Sequence, residues 1–530
     1  SSTGYRASLW IDNSYYYYNS YNRWPFSMRK GGTLNLGEGV IITDSLLSVS
    51  DETGKTAPEK VPVSNKFTGC LIRNDQNNAA INLNNMSSSG FTNLIDMRKE
   101  NNKVHIEDST IKGCNMLLNV GEGNNDITIE GESVVECNQY VFRIAASSGG
   151  NHININLDGT ADIEPGTGHP IGKGYLYSAT GGIIDYEFGY PTEVNIEKGL
   201  LAGNDALLFF QGGGISVYMK NGSKYYQNNT EKAVVEFAGN SISQANVYYQ
   251  GGDILSMGKA FVQCNYKTND NSGLILEGGT PTQQNGNPLK IVVAEQTTVP
   301  FIYLGKGQEA FYSQEEYREK VELELYDKDL TTPFKDMSKI VGRMDPGDSL
   351  GKVKDLFKLC WDAGKEIYEG KALTETRDGN YLVIGINGIY IDGSKGDSYP
   401  DASGSLADPV LTFWDAQQVY NSKTEEEKKK LKGIYILNQV TIGSGMDITV
   451  TGEEGVTSQH PNDNHYICNF GNLPIYDTGF TTETPAGTPW GYAFKMVDVN
   501  GGNFTLDHVT LDGSMIADRR NRELLRAEGG

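Results

Sequence analysis

The amino-acid sequence predicts an all-β protein whose short strands stack as a solenoid, and three observations carry that prediction. Residues 103–143 repeat themselves. Lys103-Val-His-Ile-Glu-Asp-Ser-Thr-Ile-Lys-Gly-Cys-Asn aligns without a gap on Asp126-Ile-Thr-Ile-Glu-Gly-Glu-Ser-Val-Val-Glu-Cys-Asn. Val104 falls over Ile127, Ile106 over Ile129, Ile111 over Val134, Cys114 over Cys137 and Asn115 over Asn138. A period in the twenties built on short β-branched alternations is the mark of stacked repeats. The form apolar-x-apolar, polar, then Gly recurs at Ile153-Asn-Ile-Asn-Leu157, Val194-Asn-Ile196, Val217-Tyr-Met219 and Leu274-Ile-Leu276. Alternation turns each apolar pair inward, and Gly or Asn supplies the positive-φ corner. Finally, 63 of 530 residues are glycine, against a usual ~7%, as expected of a chain that turns often. A β-sandwich also gives short strands, at intervals of roughly 8–12 residues. The return of register after one repeat, with Cys on Cys and Asn on Asn, favours the solenoid.

Residues 1–30 are dominated by Tyr15-Tyr-Tyr-Tyr18, Tyr21, Trp24 and Phe26. Alternate residues of a strand face opposite sides, so about half of this run can face solvent. Tyr16, Tyr18, Tyr21 and Trp24 are therefore candidate ligand-binding residues, with rings able to lie on apolar sugar faces. The competing reading is that they pack under loops and between strands. Strand signals follow at 33–36 and 80–83 and through the repeats. Cys114 and Cys137 are expected as two stacked buried thiols rather than a bridge, because six cysteines in so long a chain are too sparse for a disulfide framework.

The pattern breaks over 305–380. A helix is possible at 314–320, Val321-Glu-Leu-Glu-Leu325 alternates as a strand, and 351–363 reads as an amphipathic helix with Val353, Leu356, Phe357 and Cys360 on one face. This region either joins two units or forms the last, irregular turns of the first. A new unit opens near Tyr381, with a strand through Asp392 and the Gly-rich loop 393–401. Asp408 reads as an N-cap with Pro409 at the first helical position, opening an amphipathic helix over 409–420. Val410, Phe413, Trp414, Ala416 and Val419 form its apolar side, leaving Asp415 and Gln418 toward water. Glu425-Glu-Glu-Lys-Lys-Lys430 follows as a solvated helix supported by Glu/Lys pairs, and strands resume at 434, 447 and 504. The expected division is 1–304, 305–380 and 381–530.

The second start carries a family signal. Gly388-Ile-Tyr-Ile-Asp-Gly393, a Gly/Asp/Ser loop, Ala407-Asp-Pro-Val-Leu-Thr-Phe-Trp-Asp-Ala416 and Gly433-Ile-Tyr-Ile-Leu437 resemble the opening of right-handed parallel β-helix, pectin-lyase-like domains. Such domains recur in large bacterial cell-surface, adhesin-like proteins. The resemblance is strong over about 380–513 and extends weakly back to about residue 30. It implies a right-handed parallel β-helix with a helix over the first turn of a second one, and an extracellular or cell-surface location. It also implies flanking β-helix domains of the same long chain, making this a segment of a longer tandem array.

A net charge of −22 argues against nucleic acid, whose binding rests on Lys and Arg neutralising phosphates. No window reaches the roughly 18 apolar residues of a spanning helix, so no membrane insertion is expected within the segment. The fold implied by the resemblance also hosts polysaccharide-cleaving enzymes, so activity has to be sought in residues. No facing carboxylate set of a glycosidase and no lyase base motif is found, and Asp507-His508 is only a faint echo of one. His460, Asp463 and His465 lack zincin spacing, and Gly166-Thr-Gly-His-Pro-Ile-Gly-Lys-Gly174 lacks the spacing of a phosphate loop. No cofactor is expected, with calcium at Asp392, Asp397 and Asp401 as the one candidate metal site. The leading function is a non-enzymatic adhesin or stalk segment that displays loops and strand faces to a glycan or to a protein of a host or neighbouring cell. A polysaccharide lyase or hydrolase is the alternative, and a purely structural spacer the third.

Overall fold

The computed structural model describes residues 8–11, 15–17, 26–28, 32–43, 70–188, 191–239, 244–265, 272–294, 301–326, 340–344, 353–360, 371–375, 381–394, 396–405, 408–460, 464–477, 494–513 and 522–528. The protein is mostly β, and its strands pair almost throughout in parallel. By internal contacts the chain divides into a unit of residues 1–335, 342–348 and 355–365, and a second of 336–341, 349–354 and 366–530.

In the first unit the strands fall into three parallel ladders, taken in cyclic order along the chain. The first ladder runs through Thr33–Leu36, Ala80–Asn84, Lys103–Glu107, Asp126–Gly131, Asn151–Leu157, Thr192–Gly203, Ile215–Lys220, Asn246–Gln250, Gly273–Leu276 and Ile302–Leu304. The second includes Ile41–Thr43, Ser87–Ser89, Tyr175–Ser178 and Ser223–Gln227. The third includes Cys70–Asn74, Asn93–Met97, Ile184–Phe188, Ala233–Phe237 and Leu289–Ala294. Two long strands, Thr110–Val120 and Val134–Ala145, serve both the second and third ladders. The alternating apolar pairs read from the sequence occupy one position in the first ladder: Val104, Ile127, Ile153, Val194 and Val217 are in register and buried. Each such side chain removed from water contributes about 1.5–3 kcal/mol.

The repeat is less regular than the ungapped alignment. Ile111 pairs with Val135, and Thr110 is the partner of Val134. One extra residue lies between Glu130 and Ser133, compared with Glu107 and Ser109, and pushes the register to 24. A register shift between Lys112 and Cys114 restores Cys114 over Cys137. Gly113 sits in that shift at φ 70°, a conformation glycine adopts without Cβ strain. The two thiols are buried and unbridged, with Sγ atoms 3.3 Å apart.

Buried amides stack at the corner before the first ladder. Asn125 Oδ1 accepts from the backbone N–H (3.0 Å) and the side-chain N–H (3.1 Å) of Asn102, while Asn125 Nδ2 donates to Glu122 O (2.7 Å) and Asn151 Oδ1 (3.0 Å). Asn102 Oδ1 accepts from Ala79 N at 2.9 Å. The stack ends where Thr192 follows Asn151 in register, and the buried Asn151 Nδ2 has no partner there among the described residues. Aromatic side chains fill much of the interior further on. Phe237 meets Phe210 and Phe301 edge-on, and Tyr186, Tyr225 and Tyr249 are fully buried.

Within 305–380, Val321–Tyr326 pairs with Leu289–Ala294 and Phe357–Cys360 with Val321–Tyr326, continuing the third ladder, while Ile340–Met344 pairs with Ile302–Leu304 of the first ladder and Lys371–Glu375 pairs antiparallel with Tyr381–Ile386. Over the described residues 353–360, the helix expected over 351–363 does not form. A 3-10 turn at Lys354–Leu356 leads into the strand, because the open ladder edge satisfies its backbone and β-branched and aromatic residues weaken the helical alternative. Over 309–317, Glu309–Tyr312 is helical and Glu315–Tyr317 forms a 3-10 turn.

The second unit contains three short parallel sheets. One comprises Ile389–Ile391, Ile434–Ile436, Ile475–Asp477 and Leu511–Asp512, another Val440–Gly443, Phe494–Asn500 and Arg522–Glu528. The third sets Asp447–Thr451 between His465–Asn469 and Asn503–Asp507. Tyr390, Tyr435 and Tyr476 stack with ring centroids 5.0 Å apart. A Cβ at Gly433 would lie 2.6 Å from the Tyr476 ring, so glycine is required for that stack.

The amphipathic helix spans Phe413–Ser422 and begins later than expected. Its N-cap is Thr412, whose Oγ1 accepts from Asp415 N, while Asp415 Oδ2 accepts from Thr412 N. Asp408 instead closes the preceding loop, its carboxylate accepting from Ser403 N at 2.8 Å. Asp415 is buried rather than wet, because its Oδ1 also accepts from Tyr399 N at 3.0 Å. The reciprocal cap outcompetes the Asp-Pro start because it satisfies two helix-terminal donors at once. Phe413, Ala416 and Val419 pack into the core formed by Ile389, Ile448 and Cys468 among others. The charged helix forms at Glu425–Lys430, paired at i,i+3 through Glu425–Lys428 and Glu426–Lys429.

Candidate functional site

The residues singled out in the sequence are placed as follows. Tyr16 lies in the strand Tyr15–Tyr17, opposite Ile42 in the second ladder. Its side chain, and all of Tyr18, Tyr21 and Trp24, lie outside the described residues. Asp392 is buried, with Oδ1 accepting from Ser394 N and Oγ (2.9 and 2.8 Å) and Oδ2 from Asn438 Nδ2 at 2.8 Å. The Asp397 N–H donates to Pro409 O and that of Asp401 to Ser398 O, so both backbones shape the loop. The ligand atoms of Asp392, Asp397 and Asp401 do not form a common group within 4.8 Å; two other groups of the described residues do. His460 packs edge-on against Trp414 and Tyr466, and His465 Nδ1 lies 2.8 Å from Asp447 Oδ2. The glycine run 166–174 forms part of a two-residue antiparallel hairpin, Asp162–Ile163 with Pro170–Ile171.

Two places bring functional side chains together. The first is the outward face of the first ladder. Asn35, Asn82, His105, Thr128, Asn154, Asn195, Tyr218 and Tyr248 occupy one register column. Asn82 donates to Asn35 Oδ1 (2.7 Å), and Asn195 to Asn154 Oδ1 (3.3 Å). Tyr218 and Tyr248 stack 4.5 Å apart at 12°. Burial, the neighbouring phenol and Glu193 and Glu277 raise the Tyr218 pKa, so it stays a neutral donor in neutral solution. Glu277 accepts from Gln250 Nε2 at 2.8 Å beside this pair. Because the two rings cover each other's faces, they present edges and hydroxyls rather than an open stacking platform. On the same face His105 Nε2 lies 2.7 Å from Glu130 Oε1, and Glu107 accepts from Asn84.

The second place lies in the second unit, at the carboxyl ends of the strands Asp447–Thr451, His465–Asn469 and Asn503–Asp507. Thr451 has Asn469 and Asp507 as its register partners on either side. A cleft of about 1000 Å³ opens there, with Gln417, Tyr420 and Asn421 of the helix along it and the loop 452–458 opposite. Asn469 Nδ2 holds that loop by donating to Glu453 O (3.0 Å) and Val456 O (2.7 Å). Gly452 permits the close approach, since a Cβ there would sit 2.3 Å from His508 O. His508, at φ 52°, places Nδ1 2.8 Å from Asp507 Oδ1, and Asp507 Oδ2 accepts from Thr451 Oγ1 at 3.3 Å. Glu453, Asp507 and His508 offer ligand atoms within 4.8 Å of one another. Asp507-His508 is visible in the sequence. Glu453 and Gln417 are not, although the Gly-Glu-Glu-Gly run closing a strand was the available signal.

Chemically, the ladder face offers a regular row of amide and hydroxyl donors, and the cleft a convergence of two carboxylates and an imidazole. Comparison of the chain with family models, curated proteins and solved structures found no match.

Proposed function

We propose that the chain is a right-handed parallel β-helix segment acting outside the cell, as a display module of an adhesin-like surface protein that binds glycan along a lateral strand face. The observation that carries this reading is the outward column from Asn82 to Tyr248, in which amides, the His105 imidazole, the Thr128 hydroxyl and two phenols succeed one another at the strand spacing of ~4.8 Å. A linear polyhydroxylated chain laid along such a column meets donors and acceptors at a fixed interval. The Tyr218–Tyr248 pair adds apolar edges beside polar tips, the combination proteins use at wet interfaces. The resemblance over 380–513 supports the surface-protein context, and the charge of −22 suits a long apolar-cored module kept soluble by self-repulsion. Flanking domains of the same kind and a host or neighbour-cell glycan are its expected partners.

A glycan array probed with the intact protein tests the reading. Binding to at least one linear glycan, weakened tenfold or more in Tyr218→Ala/Tyr248→Ala with an unchanged melting temperature, is the expected result. Silence across the array, or binding untouched by the double substitution, contradicts it. Release of new reducing ends or unsaturated uronates from mixed polysaccharides would instead establish the enzymatic alternative.

A further inference from the structure

A cavity of about 520 Å³ opens on the outward face of the first ladder, within the ~300–1,000 Å³ range of small-molecule sites. Part of its wall is a second outward column, in which His152, Glu193, Ser216 and Asn246 follow one another in register. Asn124 and Gln244, at the corner before these strands, line it as well. Residues two apart on a strand share a face, so Glu193, Ser216 and Asn246 stand beside Asn195, Tyr218 and Tyr248 of the first column. The two columns are tied together, since Glu193 Oε1 accepts from Asn195 Nδ2 at 2.8 Å.

The charge around this cavity has one sign. Among the described residues no Lys or Arg lines it, and Glu193, partly buried there, has no cationic partner. The lysines of the same strands are already engaged, Lys220 with Glu197 and Lys198 with Asp158. Three strands further along the ladder, ~14 Å at the usual spacing, Glu277 accepts from Gln250 Nε2 and is likewise without a Lys or Arg among the described residues. Both carboxylates reach the stacked rings. After burial and the neighbouring phenol, Glu193 and Glu277 each add to the raised Tyr218 pKa; burial and Glu277 raise that of Tyr248, opposed by the Ser216 hydroxyl. The ring pair therefore stands in a negative potential from both flanks. A uronic acid laid against it meets like charge, whereas a sugar carrying an ammonium group meets a carboxylate with hydroxyls and amides beside it.

We propose that this face selects amino sugars: a chain bearing free ammonium groups lies along the column, Glu193 pairing with one of them at the cavity and Glu277 with another further on, while uronic-acid chains are repelled. The inference rests on the glycan-binding reading of the same face and adds its selectivity. Charge complementarity of this kind sets the choice of partner more than the total affinity. Neutral edges and hydroxyls of Tyr218 and Tyr248 hold any sugar; the flanking carboxylates decide which.

Binding of the full chain to three immobilised hexasaccharides tests the selectivity: glucosamine, its N-acetylated counterpart and galacturonic acid. The glucosamine chain should bind at least tenfold more tightly than the galacturonate chain, and more tightly than the acetylated one. Both margins should shrink at about 0.5 M NaCl, where exposed charges are screened. Glu193→Gln/Glu277→Gln should cut the margin over the acetylated chain about fivefold, the effect of losing two accessible ion pairs, with an unchanged melting temperature. Glu231→Gln, at an exposed position outside this face, should leave both margins as they are. Galacturonate bound as tightly as glucosamine overturns the proposal. So does a margin that survives the double substitution, or one that Glu231→Gln removes equally. Silence toward all three chains overturns it too, whereas the glycan array and Tyr218→Ala/Tyr248→Ala decide separately whether the face binds glycan at all.

Discussion

Asn102, Asn125 and Asn151 act as one stack, each completing the hydrogen bonds of its neighbour in a place water does not reach. Asn125→Ala would leave the Asn102 N–H groups unsatisfied, and a loss of about 2–4 kcal/mol in unfolding free energy is expected, read from denaturant midpoints. The sequence does not single out this stack: Asn102 and Asn125 share the 23-residue offset but Asn151 follows at 26, and polar residues before a strand equally suit a turn. The Cys pair was legible, although the extra residue at 131–132 was not, because a one-residue bulge leaves local alternation intact. Asp185 and Glu236 carry a pH dependence. Burial raises both pKa values, opposed at Asp185 by the Gln211 hydrogen bond and at Glu236 by Lys232. Raised folded values mean that the folded state holds these protons more tightly than the unfolded chain. Their stabilising contribution is therefore fully present below the ordinary carboxylate range of about 4 and is lost as pH rises through the raised values. Asp185→Asn/Glu236→Gln should accordingly gain more in urea midpoint at pH 7 than at pH 4. An equal shift at both pH values would show that desolvation is not the cause.

At the scale of elements, the strands of the first ladder were the most readable because their apolar pairs recur at one register position. The helix Phe413–Ser422 starts four residues after the position that Asp408-Pro409, a sound local start signal, predicts. Thr412 and Asp415 form a better one, closed in both directions. This predicts unequal losses. Thr412→Ala should cost about 1 kcal/mol, as for an ordinary cap. Asp415→Ala should cost more, about 2–3 kcal/mol, because it also releases Tyr399 N from a buried carboxylate. Thermal unfolding of the two variants decides, and equal losses would remove Asp415 from the loop contact. The 351–363 region shows the opposite limit: a helical pattern in the sequence gave way to an open ladder edge offering Phe357–Cys360 hydrogen bonds at long range.

For the whole molecule, the all-β class and stacked repeats were accessible from sequence, since both rest on periodicity. The functional faces were not. Tyr218 and Tyr248 come together only through a ladder pairing thirty residues apart, and Glu453, Asp507 and His508 come together only because the ends of paired strands converge. The proposal of a closed β-helix makes one geometric demand, that all three ladders be parallel and in register over the same stretch of chain. Cysteine pairs introduced at register partners test it directly: Thr128 with Asn154, Glu136 with Tyr177, and Arg143 with Asp185, one pair per ladder. Adjacent partners lie ~4.8 Å apart, within the span a disulfide bridges. Mass-spectrometric mapping of the native, oxidised variants should find all three bridges, and none in the staggered control Thr128→Cys/Asn156→Cys. A missing bridge in any ladder, or a staggered bridge that forms as readily, would contradict the stacked architecture on which the rest depends.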